Sequence, residues 1–280
     1  MYPFKYLRPQ SVADAVALLG AHPEAKPLAG GMTLVPTLKQ RLASPSHLLD
    51  LSRLSELQGI SFENGMLRIG ASTSHAVVAE SPLVQKVLPA LATLAGLIGD
   101  AQVRYRGTLG GSIANNDPAA DHPGAVLGLN ASIITDRRTI PAEDFFKGMF
   151  STSLAPDEII VAVEYPQPRR AVYLKHRHPA SGYAVVGVFI ADTSSGARIA
   201  LTGAAPCVMR WSAAEDRLSA PENWSPSRFE GLSLQSAHLN DDLGATAPYR
   251  AYLAGVLLRR AIAQLAEMSN LPDLSEPAAH

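Results

Sequence analysis

The apolar and polar positions at the start of the chain predict a small α/β unit. The run Ser11-Val-Ala-Asp14 is typical of a capping box, and apolar residues at helical spacing follow it. Residues 26–29 predict a short strand leading into the pair Gly30-Gly31, residues 33–42 a helix, and residues 47–51 a second strand. In this order, the start of the second helix faces the glycine pair.

The middle of the chain predicts a hairpin, then helices and a second glycine pair. Asn64-Gly65 lies between two short apolar runs, which is a strong signal for a β-hairpin. Residues 74–79 and 84–98 predict two helices. The pair Gly110-Gly111 follows, and we expect it to lie in a glycine-rich loop like the one at Gly30-Gly31.

The last part of the chain predicts an antiparallel sheet and a long helix. Pro166-Gln-Pro168 marks the best boundary before it. Residues 171–175, 183–192 and 197–203 alternate or run apolar, as the strands of one sheet do. Residues 248–268 predict the clearest helix, because a proline stands near its start and apolar residues repeat along one face.

Composition and charge exclude several classes of protein. The chain has 280 residues, is 47% hydrophobic and has a net charge of −1, so it lacks the basic surface that nucleic acid or an anionic membrane requires. Its longest mostly apolar run, residues 88–99, is too short to span a bilayer, and we see no signal-peptide core. Cys207 is the only cysteine, which excludes an internal disulfide and an iron–sulfur cluster held by this chain alone. We therefore expect a cytoplasmic protein.

The two glycine pairs are the strongest chemical signal. Glycine lets the backbone adopt positive φ and approach a ligand, and successive N–H groups can then bind an anion. Residues 29–33 contain no Lys or Arg, so a phosphate there would rely on main-chain N–H groups, the following helix and the Thr33 hydroxyl. Neither pair belongs to a Rossmann or Walker motif. Two such segments predict two walls of one site for a long, phosphate-bearing cofactor, and the simpler alternative is that each pair is only a tight turn.

The polar residues around the second pair allow two interpretations. Four of them are neutral groups suited to phosphate, ribose or a heterocycle: Thr108, Ser112, Asn115 and Asn116. Asp117, Asp121 and His122 could instead form a metal cluster. A catalytic zinc needs three well-spaced ligands, and carboxylates after a glycine-rich turn more often accept hydrogen bonds, so we expect no metal.

Two runs and the last helix resemble a known family. The runs are Ala29-Gly-Gly-Met-Thr-Leu34 and Arg106-Gly-Thr-Leu-Gly-Gly-Ser-Ile-Ala-Asn-Asn-Asp-Pro-Ala-Ala-Asp121, and the helix contains Tyr249-Arg250. They resemble the FAD-binding, or medium, subunit of the molybdenum hydroxylases. That family includes bacterial carbon monoxide dehydrogenase, nicotine and xanthine dehydrogenases, and aldehyde oxidases. The resemblance extends from Phe4 to about residue 265.

The resemblance implies an α+β fold with a flavin domain of the vanillyl-alcohol-oxidase type. That domain consists of two α/β subdomains, here residues 1–55 and 56–168, with noncovalent FAD between them. A C-terminal domain made of an antiparallel sheet and helices follows, here residues 169–280.

The resemblance also implies which residues contact FAD. Residues 29–34 would wrap the pyrophosphate, and residues 108–113 would form the opposite wall. Ile98 would lie against adenine, and Ile160 and Lys175 against the flavin. The full implied set is Lys26, Leu28, Ala29, Gly30, Gly31, Met32, Thr33, Leu34, Ile98, Thr108, Gly110, Gly111, Ser112, Ile113, Asn115, Asp117, Asp121, Ile160, Lys175 and Tyr183. Within it, Asn115, Asp117 and Asp121 would reach the ribityl chain, ribose or phosphates, and Tyr183 lies near the loop that screens the ring.

The implied function is electron transfer within a larger complex, with no catalytic residue in this chain. Substrate would be hydroxylated at a molybdopterin centre in a large subunit, and electrons would pass through [2Fe–2S] clusters of a small subunit to FAD here. An external acceptor would then take them, and the family suggests a dimer of heterotrimers. Two alternatives remain. A self-contained flavin oxidase or reductase would need a general base over the ring, and a non-redox accessory protein would not need the two donor-rich segments.

Overall fold

The computed structural model describes residues 1–218 and 224–269, so residues 219–223 and 270–280 of the expected C-terminal domain lie outside it. The described chain forms three main sheets with helices packed on them, and one two-stranded ribbon. Within these residues, no helix combines the length and the apolar character needed to cross a membrane.

The first sheet is parallel and has three strands. Its elements in chain order are β1 (Lys5–Leu7), α1 (Val12–Ala21), β2 (Lys26–Leu28), α2 (Leu34–Lys39) and β3 (His47–Asp50), and the strand order is β1-β3-β2. The Ser11 hydroxyl accepts a hydrogen bond of 3.0 Å from the Asp14 N–H, which confirms the predicted cap of α1. The pattern does not predict β1, and α2 is shorter than predicted because Arg41, at φ 60°, turns the chain away.

The second sheet is antiparallel, with strand order β4-β5-β10-β6-β7. Its strands are β4 (Ile60–Glu63), β5 (Met66–Gly70), β6 (Ser132–Thr135), β7 (Thr139–Pro141) and β10 (Ile160–Pro166), and β8 (Phe146–Gly148) and β9 (Ser151–Thr152) form the ribbon. The intervening helices are α3 (His75–Glu80), α4 (Pro82–Val87), α5 (Pro89–Gly96), α6 (Ala101–Arg106), α7 (Leu109–Asn115), α8 (His122–Gly128) and α9 (Ala142–Phe145). Asn64 and Gly65 both adopt positive φ between β4 and β5, which confirms the predicted hairpin.

Two predictions in this region are wrong. The single helix expected over residues 84–98 is divided into α4 and α5, because Pro89 cannot continue a helix and Leu88 before it takes an extended φ of −146°. The loop expected at Gly110-Gly111 is instead the first turn of α7. The Thr108 hydroxyl caps that helix by accepting a hydrogen bond from the Gly111 N–H.

The third sheet is antiparallel and its strands follow chain order. They are β11 (Arg170–Arg177), β12 (Ala184–Thr193), β13 (Gly196–Thr202) and β14 (Met209–Arg210), followed by α10 (Ser212–Glu215) and α11 (Ala247–Ser269). Every residue of β12 is buried because α11 and α8 both pack on it. Short 3₁₀ turns lie at Ser55–Leu57, Asp216–Leu218, Pro226–Phe229 and Ser236–His238.

The buried apolar residues form three clusters, and one of them joins the second sheet to the third, because it contains Leu67 of β5 together with Tyr173 of β11 and Phe189 of β12. Leu49 belongs to the core of the first sheet, Leu67 to that of the second and Leu258 to that of the third, and all three side chains are fully buried. Burial of this kind is the dominant stabilising term in folding. The second and third sheets therefore share part of their apolar core.

Candidate functional site

A cavity of about 720 Å³ lies where segments from all three sheets meet, a size typical of sites for cofactors. Two segments form most of its lining. The first wall is residues 26–34, which run from β2 into α2, and the second wall is residues 107–121, which contain α7. The remaining lining includes residues 98–99, which follow α5, and residues 152–160, which run from β9 to the start of β10. It also includes residues 181–183, between β11 and β12 of the third sheet.

The first wall offers free main-chain donors. The N–H groups of residues 30–33 donate to no group in the described part of the protein. Gly31 adopts φ +74°, a value that only glycine takes without strain, and its carbonyl accepts a hydrogen bond of 3.0 Å from Val35 N–H to start α2. Gly30 and Gly31 are only half-buried and residues 32 and 33 are exposed, so their free N–H groups are open to a ligand, and this segment is suited to bind an anion.

The second wall uses its glycine N–H groups internally. Gly110 N–H donates to the Ala71 carbonyl at 2.8 Å, and Gly111 N–H donates to the Thr108 hydroxyl at 3.1 Å. A β-carbon on Gly110 would lie 2.6 Å from that of Ala71, so the glycine is required for close packing. The expectation that this pair forms a second anion-binding loop is therefore wrong, because both donors already have partners.

The two walls also touch each other through a glycine. A β-carbon on Gly30 would lie 1.9 Å from the Arg106 carbonyl oxygen and 2.8 Å from the Gly107 α-carbon. Contacts closer than 3.0 Å to backbone atoms cannot be relieved by a side-chain rotation. Gly30 is thus needed because the first wall is pressed directly against the start of the second.

A buried ion pair is formed by Asp121, the last residue of the second wall. Asp121 lines the cavity and accepts hydrogen bonds from the Tyr173 hydroxyl and from Lys175 Nζ, which lies 2.9 Å from its nearer oxygen. Burial raises the pKa of the Asp121 carboxyl, while Lys175, Tyr173 and the more distant Arg177 oppose that shift. The Lys175 side chain is only 1% exposed, and its ammonium group forms its ion pair with this carboxylate.

A pair of histidines lies behind the start of the second wall. His75, the first residue of α3, lines the cavity, and its Nδ1 is 3.1 Å from Nε2 of His122, the first residue of α8. Burial lowers the pKa of His75 to about 4 and lowers the pKa of His122 well below its usual value, so both rings are neutral at pH 7. No motif in the sequence singles out His75, and the capping residue Ser74 gives the only local signal.

The three residues of the possible metal cluster contact different partners. Asp121 pairs with Lys175 and Tyr173, whereas His122 contacts His75. Asp117 accepts a hydrogen bond from the Ala119 N–H instead, and burial raises the pKa of its carboxyl. Among the described residues, no group of three His, Cys, Asp or Glu side chains is arranged to hold a metal ion.

Comparison with known proteins identifies the family. Residues 2–168 match the family described as FAD binding domain in molybdopterin dehydrogenase. The chain belongs to this family. The medium chain of carbon monoxide dehydrogenase from Hydrogenophaga pseudoflava is 37% identical over 274 residues, covering 92% of this chain and 96% of that protein. The medium subunit of nicotine 6-hydroxylase from Paenarthrobacter nicotinovorans is 37% identical over 273 residues, covering 93% and 96%.

Solved structures of the molybdenum hydroxylase family share the fold. Carbon monoxide dehydrogenase from Hydrogenophaga pseudoflava contains a chain with a TM-score of 0.86 and 37% identity, covering 95% of this chain and 99% of that one. Quinoline 2-oxidoreductase from Pseudomonas putida contains one with a TM-score of 0.87 and 30% identity, covering 97% and 100%. The predicted family, α+β fold class and FAD cofactor of this molybdenum hydroxylase flavoprotein subunit are confirmed.

Most of the residues that the resemblance implies line this cavity, but two do not. Ile113 lies on the face of α7 opposite Ser112 and Asn115, and its side chain is fully buried in the core of the second sheet. Lys175 does not reach the cavity, because its ammonium group is held by Asp121. The structure thus places the Ile113 side chain in the core and the Lys175 ammonium group on Asp121, and direct contact of these two residues with FAD stays a prediction.

The chemistry of the lining fits FAD. The free N–H groups of residues 30–33 suit a diphosphate, and no cationic side chain is needed for them to bind it. Ser112 and Asn115, on the cavity face of α7, suit ribose or ribityl hydroxyls. Ile98 and Ile160 supply apolar surface for the rings.

Proposed function

We propose that this chain binds FAD in the cavity between the first and second walls and transfers electrons within a complex of three different subunits. A molybdopterin-binding large subunit would hydroxylate the substrate, and a small subunit would carry the [2Fe–2S] clusters. The observation that supports the site most strongly is the set of unpaired N–H groups at residues 30–33, which line a cavity that also has apolar and polar side chains in its lining. When bound, FAD supplies the chemistry that accepts electrons and releases them to an external acceptor.

We propose the following roles for the residues of this chain. The first wall, Lys26 to Leu34, holds the diphosphate through main-chain N–H groups and the Thr33 hydroxyl. Thr108, Gly110, Gly111, Ser112, Asn115, Asp117 and Asp121 form the second wall against the sugar and ribityl hydroxyls. Ile98 packs on the adenine, and Ile160 and Tyr183 flank the flavin ring. These residues bind and orient the cofactor and exclude water from it.

The number of cysteines in the sequence supports the assignment of this chain as the flavin subunit. The chain contains a single cysteine, Cys207, whereas a [2Fe–2S] cluster is held by four cysteines or, in Rieske centres, by two cysteines and two histidines. The clusters that deliver electrons must therefore lie in a partner. A self-contained oxidase would need a general base near the flavin, and His75, the neutral base nearest the cavity, has its Nδ1 engaged by His122.

Purification with its neighbouring gene products tests this proposal. We expect the chain to co-purify with subunits that contain iron and molybdenum, and acid denaturation to release yellow FAD into the supernatant. The chain expressed alone should reduce no dye with an aldehyde or an N-heterocycle. Dye reduction by the chain alone would replace the proposal with the self-contained oxidase, and a colourless chain in an active complex would favour the accessory protein.

The oligomeric state, the location in the cell and the domain boundaries can each be tested separately. We propose a dimer of heterotrimers, which the mass of the purified complex would test, and a cytoplasmic location, which fractionation would test. We also propose boundaries near residues 55 and 168, because most strands of the first, second and third sheets lie on different sides of these positions. Limited proteolysis should cut first near those positions.

A further inference from the structure

The histidine pair behind the cavity has two possible arrangements of its protons. A neutral imidazole has one N–H and one bare nitrogen, so the contact of 3.1 Å between His75 Nδ1 and His122 Nε2 needs a proton on only one of them. If His75 donates, the remaining proton of His122 lies on its Nδ1. If His122 donates, His122 Nδ1 is bare and the proton of His75 lies on Nε2.

The burial of His122 decides between these arrangements. Its side chain is fully buried, and its Nδ1 contacts no hydrogen-bonding group in the described chain. A buried N–H without an acceptor is rarer and more costly than a buried bare nitrogen, because a donor loses its full interaction with water. His122 therefore donates from Nε2, which leaves its Nδ1 bare and requires His75 to carry its proton on Nε2.

The Nε2 edge of His75 faces Gly107, and both residues line the cavity. Unlike His122 Nδ1, His75 Nε2 is not among the fully buried side-chain atoms that lack a hydrogen-bond partner. A β-carbon on Gly107 would lie 2.7 Å from this nitrogen, so the imidazole fits here only because residue 107 is glycine. Gly107 is also the residue against which Gly30 of the first wall packs. The His75 Nε2–H therefore adjoins the place where the first wall meets the second.

We propose that His75 is a further cofactor-binding residue, which donates its Nε2–H to an oxygen of the FAD diphosphate, and that His122 is the positioning residue that holds the proton on that nitrogen. The donor is neutral, which matches the absence of Lys and Arg from residues 29–33. This inference rests on the proposed location of FAD. It adds His75 as a hydrogen-bond donor to the diphosphate, at a position outside the two segments that contain Gly30-Gly31 and Gly110-Gly111.

Four variants of the purified complex, stripped of flavin and titrated with FAD, test the inference. The glutamine amide of His75→Gln can occupy the position of Nε2, whereas the asparagine amide of His75→Asn can occupy only that of Nδ1. His75→Phe should weaken FAD binding about tenfold, the effect of losing one hydrogen bond to a charged group. His75→Gln should recover most of that loss, and His75→Asn should not. His122→Phe should weaken binding by a smaller factor, because His75 can then exchange its tautomers.

The outcomes separate this inference from the proposed site. Equal affinities for His75→Gln and His75→Asn would overturn the donor role, and this comparison holds even if His75→Phe fails to assemble. An unchanged affinity in His122→Phe would overturn its positioning role. A Gly31→Val variant, which distorts the first wall, tests the site itself. If Gly31→Val binds FAD like the wild type, the proposed location is wrong, whereas weak binding by Gly31→Val with normal binding by His75→Phe contradicts only the role of His75.

Discussion

The two walls of the cavity contain the same dipeptide and use it in opposite ways. In the first wall, Gly31 at φ +74° turns the chain and leaves the N–H groups of residues 30–33 without partners. In the second wall, Gly110 and Gly111 are helical, and their N–H groups donate to Ala71 and Thr108. The first pair exposes donors to a ligand, whereas the second lets a helix pack closely on its neighbours.

Because of this difference, the two walls offer different groups to a ligand. The first wall supplies main-chain donors for an anion, and the second supplies side chains on the cavity face of α7 and the buried Asp121. The contact of Gly30 with Arg106 and Gly107 fixes the distance between them. Substitutions should therefore act differently according to the wall and to the face of each residue.

Gly30→Ala should have the largest effect. The new β-carbon would lie 1.9 Å from the Arg106 carbonyl oxygen, so the walls must separate. We expect a loss of at least about 3 kcal/mol in stability and no retained FAD, measured by thermal unfolding and flavin content. Gly20→Ala is the matched control, because a β-carbon there meets nothing within 4 Å and alanine favours α1. Normal flavin content in Gly30→Ala would contradict the contact between the walls.

Asp121→Ala should have the next largest effect, because it leaves Lys175 charged, 1% exposed and without its carboxylate. Breaking a buried pair in this way costs about 3–5 kcal/mol, and FAD affinity should also fall. Combining Asp121→Ala with Lys175→Met should recover part of the stability but not the affinity. Glu164→Ala is the control, since its pair with Arg68 is 31% and 41% exposed and should contribute less than about 1 kcal/mol. Equal losses in Asp121→Ala and Glu164→Ala would refute the importance of the buried pair.

Gly110→Ala and Gly111→Val should separate packing from binding within the second wall. Gly110 packs on Ala71, so Gly110→Ala should lower stability by about 1–3 kcal/mol while the folded fraction still binds FAD. Gly111 is on the exposed, cavity side of α7, so Gly111→Val should leave the protein folded and weaken FAD binding by about tenfold or more. Unfolding midpoints and FAD titrations measure the two effects. Weak FAD binding by Gly110→Ala together with normal FAD binding by Gly111→Val would show that α7 presents its other face to the ligand.

The histidine pair should make stability depend on pH by about 2 kcal/mol. His75 has a pKa of about 4 when folded, below its value of 6.5 when unfolded. Between these values the unfolded chain binds a proton that the folded chain does not, so stability is full above pH 6.5 and falls as the pH is lowered. One such histidine loses about 2 kcal/mol between pH 6.5 and pH 5. His75→Gln should reduce this slope in thermal unfolding, and His238→Gln, at an exposed residue, should not.

Local signals in the sequence predict the first wall well. The strand, the glycine pair and the start of α2 follow from a few adjacent residues, as does the hairpin at Asn64-Gly65. The same local reasoning fails at Gly110-Gly111, because the Thr108 cap and the distant Ala71 carbonyl decide the helix. A glycine pair predicts close approach of the backbone, but not whether its N–H groups stay free.

Contacts between distant residues could not be predicted in the same way. The residues of the pairs Lys175–Asp121 and His75–His122 come together only when the sheets assemble. The resemblance implied a flavin contact for Lys175, and no pattern in the sequence distinguishes that role from the observed pairing with Asp121. The resemblance implies a cofactor contact for Ile113 as for its neighbours, although the helical period of α7 turns this side chain into the core.

Hydrogen exchange of the main-chain amides tests the central claim most directly. The purified complex, stripped of flavin and then reloaded with FAD, would be compared by mass spectrometry. We predict that the amides of residues 30–33 exchange quickly without FAD and slowly with it, whereas those of Gly110 and Gly111 are protected in both states. Unchanged exchange at residues 30–33, with new protection at Gly110 and Gly111 on adding FAD, would contradict this division between the walls.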